Sequence, residues 1–72
     1  MVILNGSKLR ELRRAKKETQ AALAAAADTS DRYIRDLEKG IKKDPSASIV
    51  YGCAGFLGVA MEDLMTVSEE EN

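Results

Sequence analysis

The chain has 72 residues, which fits one small domain. It has no histidine and a single cysteine, Cys53, which excludes an intramolecular disulfide and a zinc-ligand set. The net charge of −1 hides a strong asymmetry. Residues 1–43 carry 11 basic and 6 acidic side chains, a net of +5, whereas residues 44–72 carry 6 acidic and no basic ones. A dipole of this size directs one end of the molecule toward a polyanion.

Alanine is abundant, aromatics are few and β-branched residues form no long run, so the expected fold is all-α. The opening "MVILNG" is too short for a signal-peptide core or a membrane span, and a cytoplasmic protein is expected. Val2–Leu4 is the one stretch where a strand is conceivable. Asn5 or Ser7 caps a first helix running to about Lys17. Leu9 and Leu12 start its inner stripe, Ala15 and Lys16 continue it, and Lys8, Arg10, Arg14 and Lys17 point outward. Thr19 caps a second helix, "QAALAAAA", whose alanines let another helix approach closely.

"DTS" breaks the pattern, and Asp28 is a residue type that tolerates a left-handed backbone. Ser30 caps a third helix, which Gly40 stops. After the basic loop "IKKDP", Ser46 caps a fourth helix through Leu57. Its Val50, Cys53, Ala54 and Leu57 follow i, i+3, i+4, i+7 spacing, a core stripe that makes Cys53 a buried small hydrophobe. Gly58 ends that helix and "AMEDLM" forms a short fifth one. The domain is expected over residues 1–66, with 67–72 an acidic, disordered tail.

Enzymatic chemistry is poorly served. There is no Gly-rich phosphate loop, no carboxylate pair in an apolar setting and no base near a Cys53 nucleophile. No cofactor, metal, small-molecule ligand or membrane partner is expected.

Two short helices joined by a three-residue turn, the second closing on Glu-x-Gly, form a helix-turn-helix arrangement. From "GSKLRELRRAKKETQAALAAAA" through "SDRYIRDLEKG", "DPS" and "AGFLGVAMEDLM", the chain resembles the phage-repressor/Cro-type, XRE-like domain over residues 6–65. The resemblance implies a compact five-helix fold with helix two at Gln20–Ala27 and a recognition helix at Ser30–Lys39. It places Leu9, Leu12, Leu23, Ala24, Ile34, Leu37, Val50, Ala54, Leu57, Val59 and Leu64 in the core. It also implies a buried ion pair between Arg13 and Glu38, and a phosphate contact from Gln20. The family usually has glycine where Lys17 and Asp28 stand, and a Ser or Thr cap where Ala60 stands.

With Ile34 and Leu37 facing inward, 100° per residue leaves Arg32, Arg35, Asp36 and Lys39 outward, with Ser30 and Asp31 at the exposed N-terminus. Base contacts are expected from Asp31, Arg32, Arg35 and Asp36, since arginine reads guanine and a carboxylate accepts from cytosine N4. Phosphate contacts are expected from Gln20, the backbone at the start of helix two, Ser30, Tyr33, Lys39, Lys42 and Lys43. Asp31–Arg35 and Arg32–Asp36 are i, i+4 pairs that could hold the arginine forks in place.

The expected function is sequence-specific binding of double-stranded DNA by a homodimeric repressor reading a palindrome. Its seam would use Ile49, Phe56, Met61 and Met65, or Val2, Ile3 and Leu4. The alternatives are a protein-interaction module that has lost DNA affinity and an antitoxin-like regulator. The acidic pI and the two acids on the reading face favour the former, in which the acidic C-terminal half or the tail would bind a partner.

Overall fold

The structure is a computed structural model, and it describes residues 2–67. Four side chains start its four α-helices by accepting a backbone N–H three residues on, the local chemistry that Ser, Thr and Asn favour at an N-cap. Asn5 accepts from Lys8 at 3.1 Å to begin α1 (Gly6–Ala15). Thr19 accepts from Ala22 at 3.0 Å to begin α2 (Gln20–Ala26). Ser30 accepts from Tyr33 at 3.1 Å to begin α3 (Asp31–Lys39), and Ser46 from Ile49 at 3.3 Å to begin α4 (Ala47–Leu57).

All four helices stop in one way. A left-handed residue follows each end, directly after α3 (Gly40, φ 80°) and α4 (Gly58, φ 73°) and one residue later after α1 (Lys17, φ 60°) and α2 (Asp28, φ 59°). The next N–H then turns back to the last turn. Glu18 donates to the Arg13 carbonyl at 3.2 Å, Thr29 to Ala24 at 2.9 Å, Ile41 to Asp36 at 2.9 Å and Val59 to Ala54 at 3.0 Å. These bonds satisfy carbonyls that a helix end otherwise leaves without partners.

The structure corrects several expectations. The first helix stops at Ala15 rather than near Lys17, because Lys17 takes the left-handed turn. Ala15 and Lys16 are therefore exposed, and the inward line of α1 is Gly6, Leu9 and Arg13. The fold is not five helices. "MEDL" is a single 3₁₀ turn (Met61–Leu64), after which Met65–Val67 becomes a strand. Ala60 offers no side-chain cap, and only Asp63 reaches back to the Ala60 N–H at 3.0 Å. That strand, β2 (Met65–Val67), pairs antiparallel with β1 (Val2–Leu4), with Leu4 opposite Met65 and Val2 opposite Val67. Val67, the first residue of the tail expected over 67–72, thus belongs to the sheet; the rest of that stretch lies outside the described residues.

One core joins these elements: Leu4, Leu9, Leu23, Ala24, Ala27, Ile34, Leu37, Val50, Cys53, Ala54, Leu57 and Leu64 are buried. Leu12 and Val59, expected in the core, pack against it half-buried. Two glycines permit close approach. A Cβ on Gly6 would run into the Leu37 carbonyl oxygen and lie 3.0 Å from that of Glu38, so α1 begins directly on the last turn of α3. A Cβ on Gly52 would lie 2.8 Å from Ala27 Cα, which fixes α4 against the end of α2. Among the described residues no helix is long and apolar enough to cross a membrane.

The two non-glycine helix stops differ in strain, because a short polar side chain eases a left-handed backbone and lysine does not. Lys17→Gly is expected to stabilise the domain by about 1 kcal/mol. That would raise the melting temperature by about 4–8 °C for a domain of this size, with a smaller gain for Asp28→Gly. Thermal denaturation followed by circular dichroism checks both.

Candidate nucleic-acid interface

The orientation of α3 is set by its buried carboxylate. Glu38 accepts from Arg13 Nε at 2.7 Å through Oε2 and from a terminal Arg13 nitrogen at 3.0 Å through Oε1. Gln20 Nε2 adds a third bond to Oε1 at 3.0 Å. The other Arg13 terminal nitrogen donates to the Glu18 carbonyl at 2.8 Å, which holds the turn between α1 and α2. The Glu38 side chain keeps 2% of its surface exposed and that of Arg13 10%, so this two-pronged pair sits out of water. Hydrogen bonding to Glu38 raises the Arg13 pKa further above its ordinary value against the opposing effect of burial. Arg13 is therefore a cation at every accessible pH.

With α3 anchored, its outward residues fall into two rows. Arg32 and Asp36 lie one turn apart, opposite Ile34 and Leu37. Arg35 and Lys39 form the neighbouring row on the Glu38 side. Asp31, Arg32, Arg35 and Lys39 are exposed and Asp36 is half-buried. Ser30 is exposed, with its oxygen engaged as the cap of α3. Tyr33 packs against the core on the opposite flank. Lys42 and Lys43 are exposed in the loop after Gly40, where the Lys43 carbonyl accepts from the Leu4 N–H at 2.9 Å. The Asp31–Arg35 and Arg32–Asp36 pairs expected within α3 do not close: among the described residues the ion pair given by the structure at these helices is Arg13–Glu38.

The Arg35–Lys39 row faces a cleft of about 140 Å³. Helix α1 lines it with Arg10, Arg13 and Arg14, α2 with Gln20, and α3 with Arg35, Glu38 and Lys39. Arg10 and Arg14 were not among the expected contacts. Their i, i+4 spacing on α1 was visible in the sequence, but that this face turns toward α3 follows only from tertiary packing. Gln20, expected to donate to phosphate, gives one amide N–H to Glu38 and keeps the other.

No group of three or more His, Cys, Asp or Glu side chains able to hold a metal occurs among the described residues. Cys53 is 1% exposed on α4. Burial and the nearby Glu38 charge push its thiol up to about 11.

The model of the family described as helix-turn-helix matches residues 9–64. The chain belongs to that family. Its type is the phage-repressor/Cro, XRE-like one, with α2 and α3 as the helix-turn-helix pair. It is 36% identical over 67 residues to the uncharacterized HTH-type transcriptional regulator y4dJ of Sinorhizobium fredii, covering 93% of this chain and 86% of that one. Among solved structures, the restriction-modification controller protein C.AhdI of Aeromonas hydrophila superposes with a TM-score of 0.74 at 29% identity, over 81% of this chain and 86% of that one. The fold is also that of the SinR N-terminal DNA-binding domain of Bacillus subtilis, with a TM-score of 0.77 at 21% identity over 92% of this chain and 94% of that one.

Two outcomes test this helix-turn-helix site. Arg13→Ala leaves a buried carboxylate short of its cation and is expected to cost about 3–5 kcal/mol, read as a lowered urea midpoint. An unchanged midpoint would make the pair dispensable. Cys53 is expected to resist iodoacetamide at pH 8, where roughly a thousandth of a thiol with its pKa is thiolate. Mass spectrometry with and without urea reads the difference.

Proposed function

We propose that the protein binds double-stranded DNA sequence-specifically and regulates transcription as a homodimeric repressor. Helix α3 would enter the major groove of a palindromic operator. The supporting observation is the outward row of α3: Arg32, exposed, and Asp36, half-buried, lie opposite Ile34 with no ion-pair partner among the described residues, on a helix fixed from behind by Arg13 and Gln20. A helix held this way presents donors and acceptors without having to be ordered on binding, which reduces the cost of association.

Arg32 is the principal base reader, suited to guanine O6 and N7, and Asp36 and Asp31 are acceptors for cytosine or for water. Arg35 lies at the edge of this set. Gln20, Ser30, Tyr33, Lys39, Lys42 and Lys43 flank it as backbone contacts that set position rather than sequence. Membership of the family and the likeness to a transcriptional regulator over nearly the whole chain support the regulatory role.

A dimer would place two recognition helices about 34 Å apart, one helical turn of DNA. Ile49, Phe56, Met61 and Met65 are half-buried at the edge of the core, and Phe56 and Met61 line an apolar groove with the exposed Tyr51. These residues are better placed for a seam than Val2–Leu4, whose Leu4 is buried and whose backbone is taken up by β2.

Selection of bound duplexes from a random library, followed by a salt series on the winner, tests the whole reading. A two-fold symmetric consensus and steep loss of affinity with salt are expected. Arg32→Ala should cost about 1–3 kcal/mol on the selected duplex and relax preference at one base position. Binding of random and selected duplexes with equal strength would refute the sequence-reading role, and a monomer at micromolar concentration on selected DNA would refute the dimer.

A further inference from the structure

The cleft between α1 and α3 gathers charge of one sign. Its lining holds five cations, Arg10, Arg13, Arg14, Arg35 and Lys39, against one anion, Glu38, a net of +4. Glu38 is already engaged by Arg13 and Gln20. Four cations from two helices therefore remain around one opening, and none has an ion-pair partner among the described residues. Like charges gathered in a concave site repel one another and focus a positive potential, and an anion seated among them relieves both.

We propose that this cleft seats one phosphate of the DNA backbone at the rim of the groove, making Arg35, Arg10 and Arg14 phosphate ligands and removing Arg35 from the base-reading set. The inference rests on the DNA-binding reading given above. The direction of the side chains carries the assignment. At 100° per residue, Arg32 and Asp36 lie within about 20° of the direction opposite Ile34, whereas Arg35 lies about 100° from Ile34, on the side of Glu38. Glu38 marks where α1 packs, because it bonds Arg13. Arg35 thus projects toward Arg10 and Arg14, which belong to a different helix and lie off the outward line of α3. Cations from two helices converging on one opening match a tetrahedral anion approached from several sides better than the flat edge of a base. The free N–H of Gln20 adds a neutral donor to the same lining.

The test compares the wild type with Arg35→Ala, Arg35→Lys and the Arg10→Ala/Arg14→Ala double variant, on the selected duplex and on a random one, across a salt series. All three positions are exposed, so melting temperatures close to wild type are expected. Arg35→Ala should weaken both duplexes by the same factor, about tenfold, and flatten the salt dependence by about one unit of slope per protomer. Arg35→Lys should recover most of the loss, because a point charge serves a phosphate, and the double variant should follow Arg35→Ala with base preference unchanged. A scan placing single neutral methylphosphonates along the duplex should find one position per half-site that weakens the wild type but adds no further loss in Arg35→Ala. This scan also decides the matter should a variant melt low, since a wild-type protein indifferent to every single neutral linkage would overturn the proposal.

Other outcomes separate the two levels. If Arg35→Ala relaxes preference at one base while keeping the full salt slope, Arg35 reads a base and the proposal fails, although the protein remains a DNA reader. If inorganic phosphate perturbs the Arg10, Arg14 and Arg35 side-chain resonances while duplex affinity is unaffected by all three variants, the cleft holds a free anion and the proposal again fails. If the wild type binds no duplex, the DNA-binding reading fails and takes this assignment with it.

Discussion

Three hydrogen bonds converge on the carboxylate of Glu38, two from Arg13 on α1 and one from Gln20 on α2. The geometry of the presented surface depends on this convergence. Helix α3 has only Ile34 and Leu37 as fully buried apolar anchors, both on one side. Such a stripe resists separation but resists rotation less well. A bidentate guanidinium–carboxylate pair is directional, and its low-dielectric setting makes a misplaced partner costly. The pair is thus better understood as an orienting device than as a source of net stability, since desolvation offsets much of the attraction between buried charges.

The same contact explains how a protein with a net charge of −1 presents a strongly cationic surface. Arg13 is neutralised internally, so the remaining cations of α1 stand free of the acids of α3. Meanwhile Glu62 and Asp63 lie in the 3₁₀ turn, which packs on α4 and α1 and does not line the cationic cleft. Separation of the two signs gives the domain a preferred orientation in the field of a polyanion before any contact forms.

Helix starts were legible because capping is local: Asn5, Thr19, Ser30 and Ser46 each act within three residues of themselves. The core stripe of α4 was legible from spacing for a similar reason. The pairing of Arg13 with Glu38, 25 positions apart, has no periodic signature and entered only through resemblance to a family. Of the small sheet only the first strand, Val2–Leu4, was suspected; its partner Met65–Val67 was missed because three residues offer no alternation to detect, and the pairing joins the two ends of the domain. The end of α1 was misplaced because lysine is not a residue type that favours a left-handed backbone, and the one sign of it at Lys17 was the glycine usual at that position in the family. At the interface, the outward row of α3 could be drawn from an ideal helix. The arginine–aspartate pairs drawn along with it did not close, since exposed side chains in water gain little from such contact. The cleft against α1 needed the packing of two helices.

The contact at Gly6 links the start of α1 to the end of α3. With no side chain at this position, the first turn of α1 rests on the carbonyls of Leu37 and Glu38, in the last turn before the glycine that stops α3. Any larger residue would have to displace backbone rather than a side chain, and the backbone in its way belongs to the helix whose tilt sets what the surface can reach. Position 6 is therefore a mechanical lever. A side chain there would press on the last turn of α3 without touching any residue on the outward face, so a change to that face need not begin on it.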